Sequence, residues 1–262
     1  MARYFIELAY KGTNYHGWQI QTNGITIQEK LEKVLSMLLV TDIRVTGAGR
    51  TDAGVHASYM VAHFDILEPI KNCMTLTNSL NRVLPKDIVI IAITQVAYYV
   101  HSRFSAISRK YEYHISFEKN PFLYDFVHFE RNELDINAMN EAAKILFLYS
   151  DFTSFSKLHS ETKTNICNIK QSFWEMRDER LVYVIESNRF LRNMVRALVG
   201  TFLDVGKNKI EIQEFIMIIE SQDRSKASTT APAQGLYLTD IQYPEDLFVS
   251  FHDKSYFSPL KI

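Results

Sequence analysis

The run GAGRTDAGVHA, residues 47–57, holds three glycines, one arginine and one aspartate in a pattern with neither helical nor strand periodicity. Asp52 stands two residues after Arg50. An aspartate in a glycine-rich loop ordinarily builds a turn by accepting hydrogen bonds from nearby backbone N–H groups. A second use is chemical. Arg50 is close enough in sequence to pair with Asp52 and keep it ionised at neutral pH. An ionised carboxylate with small neighbours is suited to act as a nucleophile or general base. The run alone leaves both uses open.

Other chemistries for this loop meet specific objections. Gly47-Ala48-Gly49-Arg50-Thr51-Asp52 begins like a dinucleotide-binding GxGxxG, but the sixth position is an aspartate, where a pyrophosphate needs close backbone approach. No GK[ST] follows, so the run is not a phosphate-binding loop of the Walker type. Asp52 and His56 supply two metal-ligand types without a third nearby, and no metal is expected.

The elements that must position this loop are legible around it. RYFIELAY (3–10) reads as a strand. Thr26 and Glu29 in TIQE form a capping-box pattern, and Ile27, Leu31, Val34, Leu35, Leu38 and Leu39 follow at helical spacing. IRVTG leads into the glycine loop and SYMVAHFDI out of it, both strand-like. A helix is predicted over Leu76–Val83, stopping before Pro85, and DIVIIAITQVA is a strand. Further on, RKYEYHISF (109–117) reads as a strand and Ile136–Leu148 as a helix capped by Asp135. NIKQSFWEMR and RLVYVIES read as strands joined at Asp178-Glu179. Helices are predicted over about Phe190–Val205 and Glu211–Glu220, and GLYLTDIQY is a closing strand. Strands and helices mix without strict alternation, so the fold is expected to be α+β and largely antiparallel. The division is expected near residues 102–108, giving domains 1–104 and 105–262.

The chain has 262 residues, 47% of them hydrophobic, which suits a globular protein of one large or two smaller domains. The N-terminus lacks a signal-peptide pattern, and the longest apolar runs are too short to span a bilayer, so a soluble, cytoplasmic protein is expected. Cys73 and Cys167 stand in unrelated contexts, which fits a reducing compartment. The net charge of −1 is not that of a bulk nucleic-acid binder. However, Arg189, Arg192, Arg196, Lys207 and Lys209 stand against the single acid Asp204, so a local basic surface is expected there.

GAGRTDAGVHA resembles the catalytic motif of the tRNA pseudouridine synthase A family. YKGTNYHGWQIQ, LNRVLPKDI, HSRFSAISRKYEY, DFTSFSK, FLRNMVRALVGTFLDVG and TTAPAQGLYL resemble further family segments and occur in the family's order. The resemblance implies two α+β domains sharing a long, mainly antiparallel central sheet, with helices on one side and the active cleft between the domains. It implies isomerisation of uridine to pseudouridine at positions 38, 39 and 40 of the tRNA anticodon stem-loop, by base flipping and without cofactor. It also implies a homodimer, with tRNA rather than DNA or a membrane as partner. Carried over by position, Asp52 is the catalytic carboxylate. Tyr111 stacks on the target base and helps remove the carbon-5 proton, Arg196 pairs with Asp52, and Arg50 fills the space left by the flipped base or contacts its backbone. His16 and Trp18 are expected to shape the site. Two positions depart from the pattern: Lys11 stands where the family often has an acid, and Met60-Val61 where it often has Gln-Val. Without the resemblance, Tyr111 reads as a strand aromatic sharing a face with Tyr113 and Ile115, and Arg192 and Arg196 as a solvated helix face. A catalytically idle RNA-binding protein of the same fold is the alternative.

Overall fold

The computed structural model describes residues 1–157, 164–244 and 247. It is α+β, with nine strands and five α-helices among the described residues. The chain divides into two compact units, Met1–Ser108 with Tyr237–Ile262, and Arg109–Leu236.

The first unit is built on β1 (Ala2–Tyr10), with antiparallel neighbours on both sides. Helix α1 (Ile27–Leu39) buries Ile27, Leu31, Val34 and Leu35 as its spacing requires. Only half of the expected capping box forms: the Thr26 hydroxyl accepts from the Glu29 N–H at 3.3 Å. The helix stops at Val40, whose φ of 51° is costly for a β-branched residue. Strand β2 (Val45–Gly47) leads into the glycine loop, and β3 (His56–Ile66) leaves it, pairing with β1 and β2. Helix α2 (Cys73–Val83) starts one turn earlier than predicted, because Asn72 caps it through the Thr75 N–H. Strand β4 (Ile88–Val96) completes β1's other edge.

The second unit opens with β5 (Ser108–Ser116), beside which the short β6 (His128–Phe129) lies parallel. Two residues are too few for a periodicity signal, and β6 was not predicted. Helix α3 (Ile136–Ile145) is shorter than expected and tightens into a 3₁₀ turn at Leu146–Leu148. Strands β7 (Ile169–Arg177) and β8 (Arg180–Ser187) form a hairpin, and β8 pairs antiparallel with β5. Both turn residues, Asp178 and Glu179, have positive φ, as a two-residue type I′ turn requires. Helix α4 (Met194–Gly206) is buried at every position except Arg196 and Asp204. It starts four residues later than predicted, because Asn193 takes a left-handed φ of 68°. Helix α5 (Ile212–Glu220) follows, with the Glu214 carboxylate accepting from the Glu211 N–H at 2.8 Å. Trp174 and Tyr183 stack at 4.8 Å, Phe202 meets both rings, and Phe215 stacks on Phe202.

Strand β9 (Leu236–Gln242) returns to the first unit and pairs parallel with β3, His56 opposite Tyr237. The sequence division at 104/105 leaves this strand with the second domain. Only long-range pairing reveals where it belongs.

Candidate active site

The glycine loop is irregular but braced. The Thr51 hydroxyl meets the Tyr10 hydroxyl at 2.8 Å in a buried position. The Thr51 carbonyl accepts from the Trp18 N–H at 3.2 Å, and the Gly54 N–H donates to the Tyr15 carbonyl at 3.2 Å. The segment after β1, KGTNYHGWQ, therefore grips the loop by its backbone. Gly17 makes this approach possible. Its φ is 84°, and a Cβ there would stand 2.3 Å from the Thr51 carbonyl oxygen. The turn Asp52–Val55 is closed by the Val55 N–H to the Asp52 carbonyl at 3.1 Å, with Gly54 at φ 80° in the position a type II turn reserves for glycine. Backbone groups thus make the turn, and the Asp52 side chain stands half-buried above it.

Arg50 is exposed and has no hydrogen-bond or ion-pair partner among the described residues. The pairing with Asp52 that sequence proximity suggested does not form. His56 is 2% exposed and structural: its Nδ1 accepts from the Gly12 N–H at 3.1 Å, and its ring stacks on Tyr237 at 4.7 Å. Among the described residues no three His, Cys, Asp or Glu side chains are placed to share a metal ion. Trp18 is buried beneath Gly47, while His16 is exposed.

Beside the loop lies a pocket of about 200 Å³. Trp18, Gln19, Thr46, Gly49, Arg50 and Arg103 line it, and no acidic residue does. Its floor is organised by buried polar groups of α1. Glu32 accepts from the Val45 N–H and from Gln28, each at 2.9 Å, and Gln28 also donates to the Val45 carbonyl. Its wall is the turn at 101–105. The Ser102 hydroxyl donates to the Thr46 carbonyl at 2.7 Å, and His101 Nδ1 accepts from the N–H groups of Arg103 and Phe104.

The second unit holds Tyr111 and Arg196. On β5, Tyr113 and Ile115 are fully buried, whereas Tyr111 on the same face is only half-buried. Its ring stands edge-on to Phe190 at 5.1 Å. Arg196 lies in the first turn of α4, where the helix dipole disfavours a cation. A reciprocal clasp offsets this: Arg196 Nε donates to the Ala231 carbonyl at 2.8 Å, and the Ala231 N–H donates to the Arg196 carbonyl at 3.0 Å. Gly200 lets that segment lie against the helix, since a Cβ there would stand 1.8 Å from the Thr229 carbonyl oxygen. Nearby, the Tyr113 hydroxyl donates to the Pro232 carbonyl at 2.9 Å. Burial drives its pKa well above the usual phenol range, and the charge of Arg196 only partly opposes this.

Arg192 is not one helical turn from Arg196, because α4 begins after it. It is exposed beside the left-handed Asn193. The basic segment is also smaller than its sequence suggests. Lys207 is paired with Glu130 and Lys209 with Asp204. Burial opposes the charge on Glu130, but Lys207 and Asn132 hold its carboxyl below the usual carboxylate range. Phe190, Ala231, Tyr10 and Ser102 were not singled out as site residues in the sequence, because each acts through a contact distant along the chain.

These features can be set beside known proteins. A sequence model described as tRNA pseudouridine synthase matches residues 8–105 and 142–244. The chain is 52% identical over 263 residues to a Bacteroides thetaiotaomicron protein named tRNA pseudouridine synthase A, covering 99% of this chain and 97% of the relative. It is 50% identical over 248 residues to a Parabacteroides distasonis protein of the same name, covering 95% and 98%. A Francisella tularensis subsp. holarctica relative, also so named, is 38% identical over 253 residues, covering 95% and 96%. With a family match over most of its length and relatives at half identity along nearly all of it, the chain belongs to the tRNA pseudouridine synthase family.

Proposed function

We propose that this protein is an isomerase that converts uridine to pseudouridine in tRNA, with Asp52 as its essential carboxylate. The observation that carries the role of Asp52 is the bracing of its loop. Tyr10, Tyr15, Trp18 and His56 fix the chain on both sides of Asp52 while its side chain stays half-buried. Catalytic groups need such fixed placement.

The reaction breaks the bond between N1 of the base and C1′ of the ribose, turns the base, and joins C1′ to C5. The proton on C5 leaves and N1 gains one, so no oxidant, reductant or energy source is consumed. The target nucleotide must leave its stack to expose the bond. Tyr111 is the proposed platform for the flipped base, an aromatic face worth about 1–3 kcal/mol. Its edge-on contact with Phe190 fixes the ring beforehand. Arg196 is the proposed cationic partner of Asp52. Its Nε is committed to Ala231, which orients the planar guanidinium. Arg50 is proposed to fill the space the base vacates or to contact the backbone of the flipped nucleotide. The anticodon stem-loop as target, with uridines 38, 39 and 40, a homodimeric state and a cytoplasmic location rest on the family resemblance.

The test is release of tritium from tRNA labelled at uridine carbon 5. Wild-type protein should release it, and Asp52→Asn should slow release by ~10⁴-fold while still binding tRNA. Binding of tRNA without release by the wild type would leave an RNA-binding protein in place of the enzyme.

A further inference from the structure

The pocket beside the glycine loop includes Arg103, which no step above uses. Two guanidinium-bearing residues line it, Arg50 and Arg103, both exposed, and no acidic residue is part of the lining. At Gly49 a Cβ would meet nothing within 4 Å, so a ligand can approach the backbone there. Gln19 and Thr46 add exposed polar side chains on the rim. Such a lining suits a small anion that carries hydrogen-bond acceptors on several sides, since arginine presents a planar fork of donors.

The turn that carries Arg103 is held by a chain of contacts. Ser102, fully buried, ties its turn to Thr46 of β2, and the His63 Nδ1 lies 2.8 Å from the same hydroxyl. His101 gathers the N–H groups of Arg103 and Phe104, and its own N–H donates to Ser105 Oγ at 2.9 Å. The turn is therefore fixed to the strand that enters the glycine loop. Arg50 and Asp52 are two positions apart, at most about 7 Å along the chain. The pocket thus lies within a nucleotide's reach of the proposed catalytic carboxylate.

We infer that Arg103, together with Arg50, clamps an RNA phosphate next to the target uridine, so that Arg103 is a substrate-binding residue of this enzyme. The inference rests on the functional reading above. It assigns to the pocket the strand's backbone and not the reacting base. Arg103 then fixes the register of the strand while Asp52 acts on the nucleotide beside it.

The test uses full-length tRNA ligated from synthetic pieces, with tritium at C5 of the target uridine. A neutral methylphosphonate replaces the phosphate on its 5′ or its 3′ side. Wild-type protein is compared with Arg103→Ala and Arg103→Lys for binding and for tritium release. Arg103→Ala should weaken binding of natural tRNA about tenfold, with the loss falling mainly on KM, and should reduce the salt dependence by about one phosphate contact, a slope change of ~0.7. One of the two methylphosphonates should weaken wild-type binding about tenfold and cost Arg103→Ala nothing further. Arg103→Lys, which keeps the charge, should recover part of the loss. Independent, multiplying effects at both positions would overturn the clamp. So would loss of release by Arg103→Ala at saturating tRNA. If wild type releases no tritium from natural tRNA, the functional reading falls, which is a different failure from additive effects in an active enzyme.

Discussion

The two units hold the proposed site residues by opposite means. In the first, Asp52 sits on a loop with no regular structure, and its position is set by hydrogen bonds from a second irregular segment, residues 12–18. In the second, Tyr111 and Arg196 sit on a strand and a helix, and the framework of β5 and α4 places them before any side-chain contact is made. A loop braced by single contacts allows a charged side chain to stand above small neighbours. It concentrates the consequences of change at a few backbone positions. A strand or helix spreads the load, so single side-chain changes there act on chemistry more than on folding.

Three experiments would sharpen or break this comparison. The largest effect is expected at Gly17. Gly17→Ala puts a Cβ at a left-handed φ and against the Thr51 carbonyl, and should cost about 3 kcal/mol of stability, read as a lowered midpoint in urea unfolding. Unchanged stability would show that the loop is not held at this point. Next is Tyr111→Ala. It should lower kcat/KM for tritium release by 10- to 100-fold, about 2 kcal/mol of lost stacking, with a nearly unchanged melting temperature. A large loss of stability would mean that the strand relies on Tyr111 as it relies on Tyr113.

The smallest effect concerns His63, whose pKa burial pushes down to about 4 from its usual 6.5, helped by the charges of Arg3 and His101. The unfolded chain then binds a proton that the folded one refuses between those values. The stability contributed by neutral His63 is present above pH 6.5 and is lost as pH falls toward 4. Thermal melting between pH 7 and pH 4.5 should decline less steeply in His63→Gln than in wild type. Identical slopes would remove His63 from the turn that carries Arg103.

Several elements could be read without coordinates, for local reasons. Helix α1 announces itself because two signals agree over its 13 residues: a threonine cap and apolar residues at helical spacing. The hairpin of β7 and β8 is visible in two strand runs and a two-residue joint. Helix α4 was misplaced at its start because its apolar periodicity continues back through Phe190 and Leu191, while the left-handed Asn193 that breaks it leaves no pattern. Arg192 was grouped with Arg196 for the same reason. Lys207 looked like part of a basic surface, since nothing near it in sequence predicts Glu130, its partner from beside β6.

By itself the sequence determined the residue types that chemistry needs and the loop that carries the first of them. Asp52, Tyr111 and Arg196 are proposed from segments that resemble a family, and α+β organisation is read from the periodicity of short segments, because both are properties of neighbouring residues. Only the tertiary structure decided what holds them. The grip of residues 12–18 on Thr51 and Gly54, the Ala231 clasp on Arg196 and the Ser102 bridge to Thr46 all join segments far apart in the chain. Each of these bonds ends on a backbone carbonyl, a group that every residue possesses. Their partners are chosen by how the folded chain packs, and packing leaves no local signature for a sequence to display.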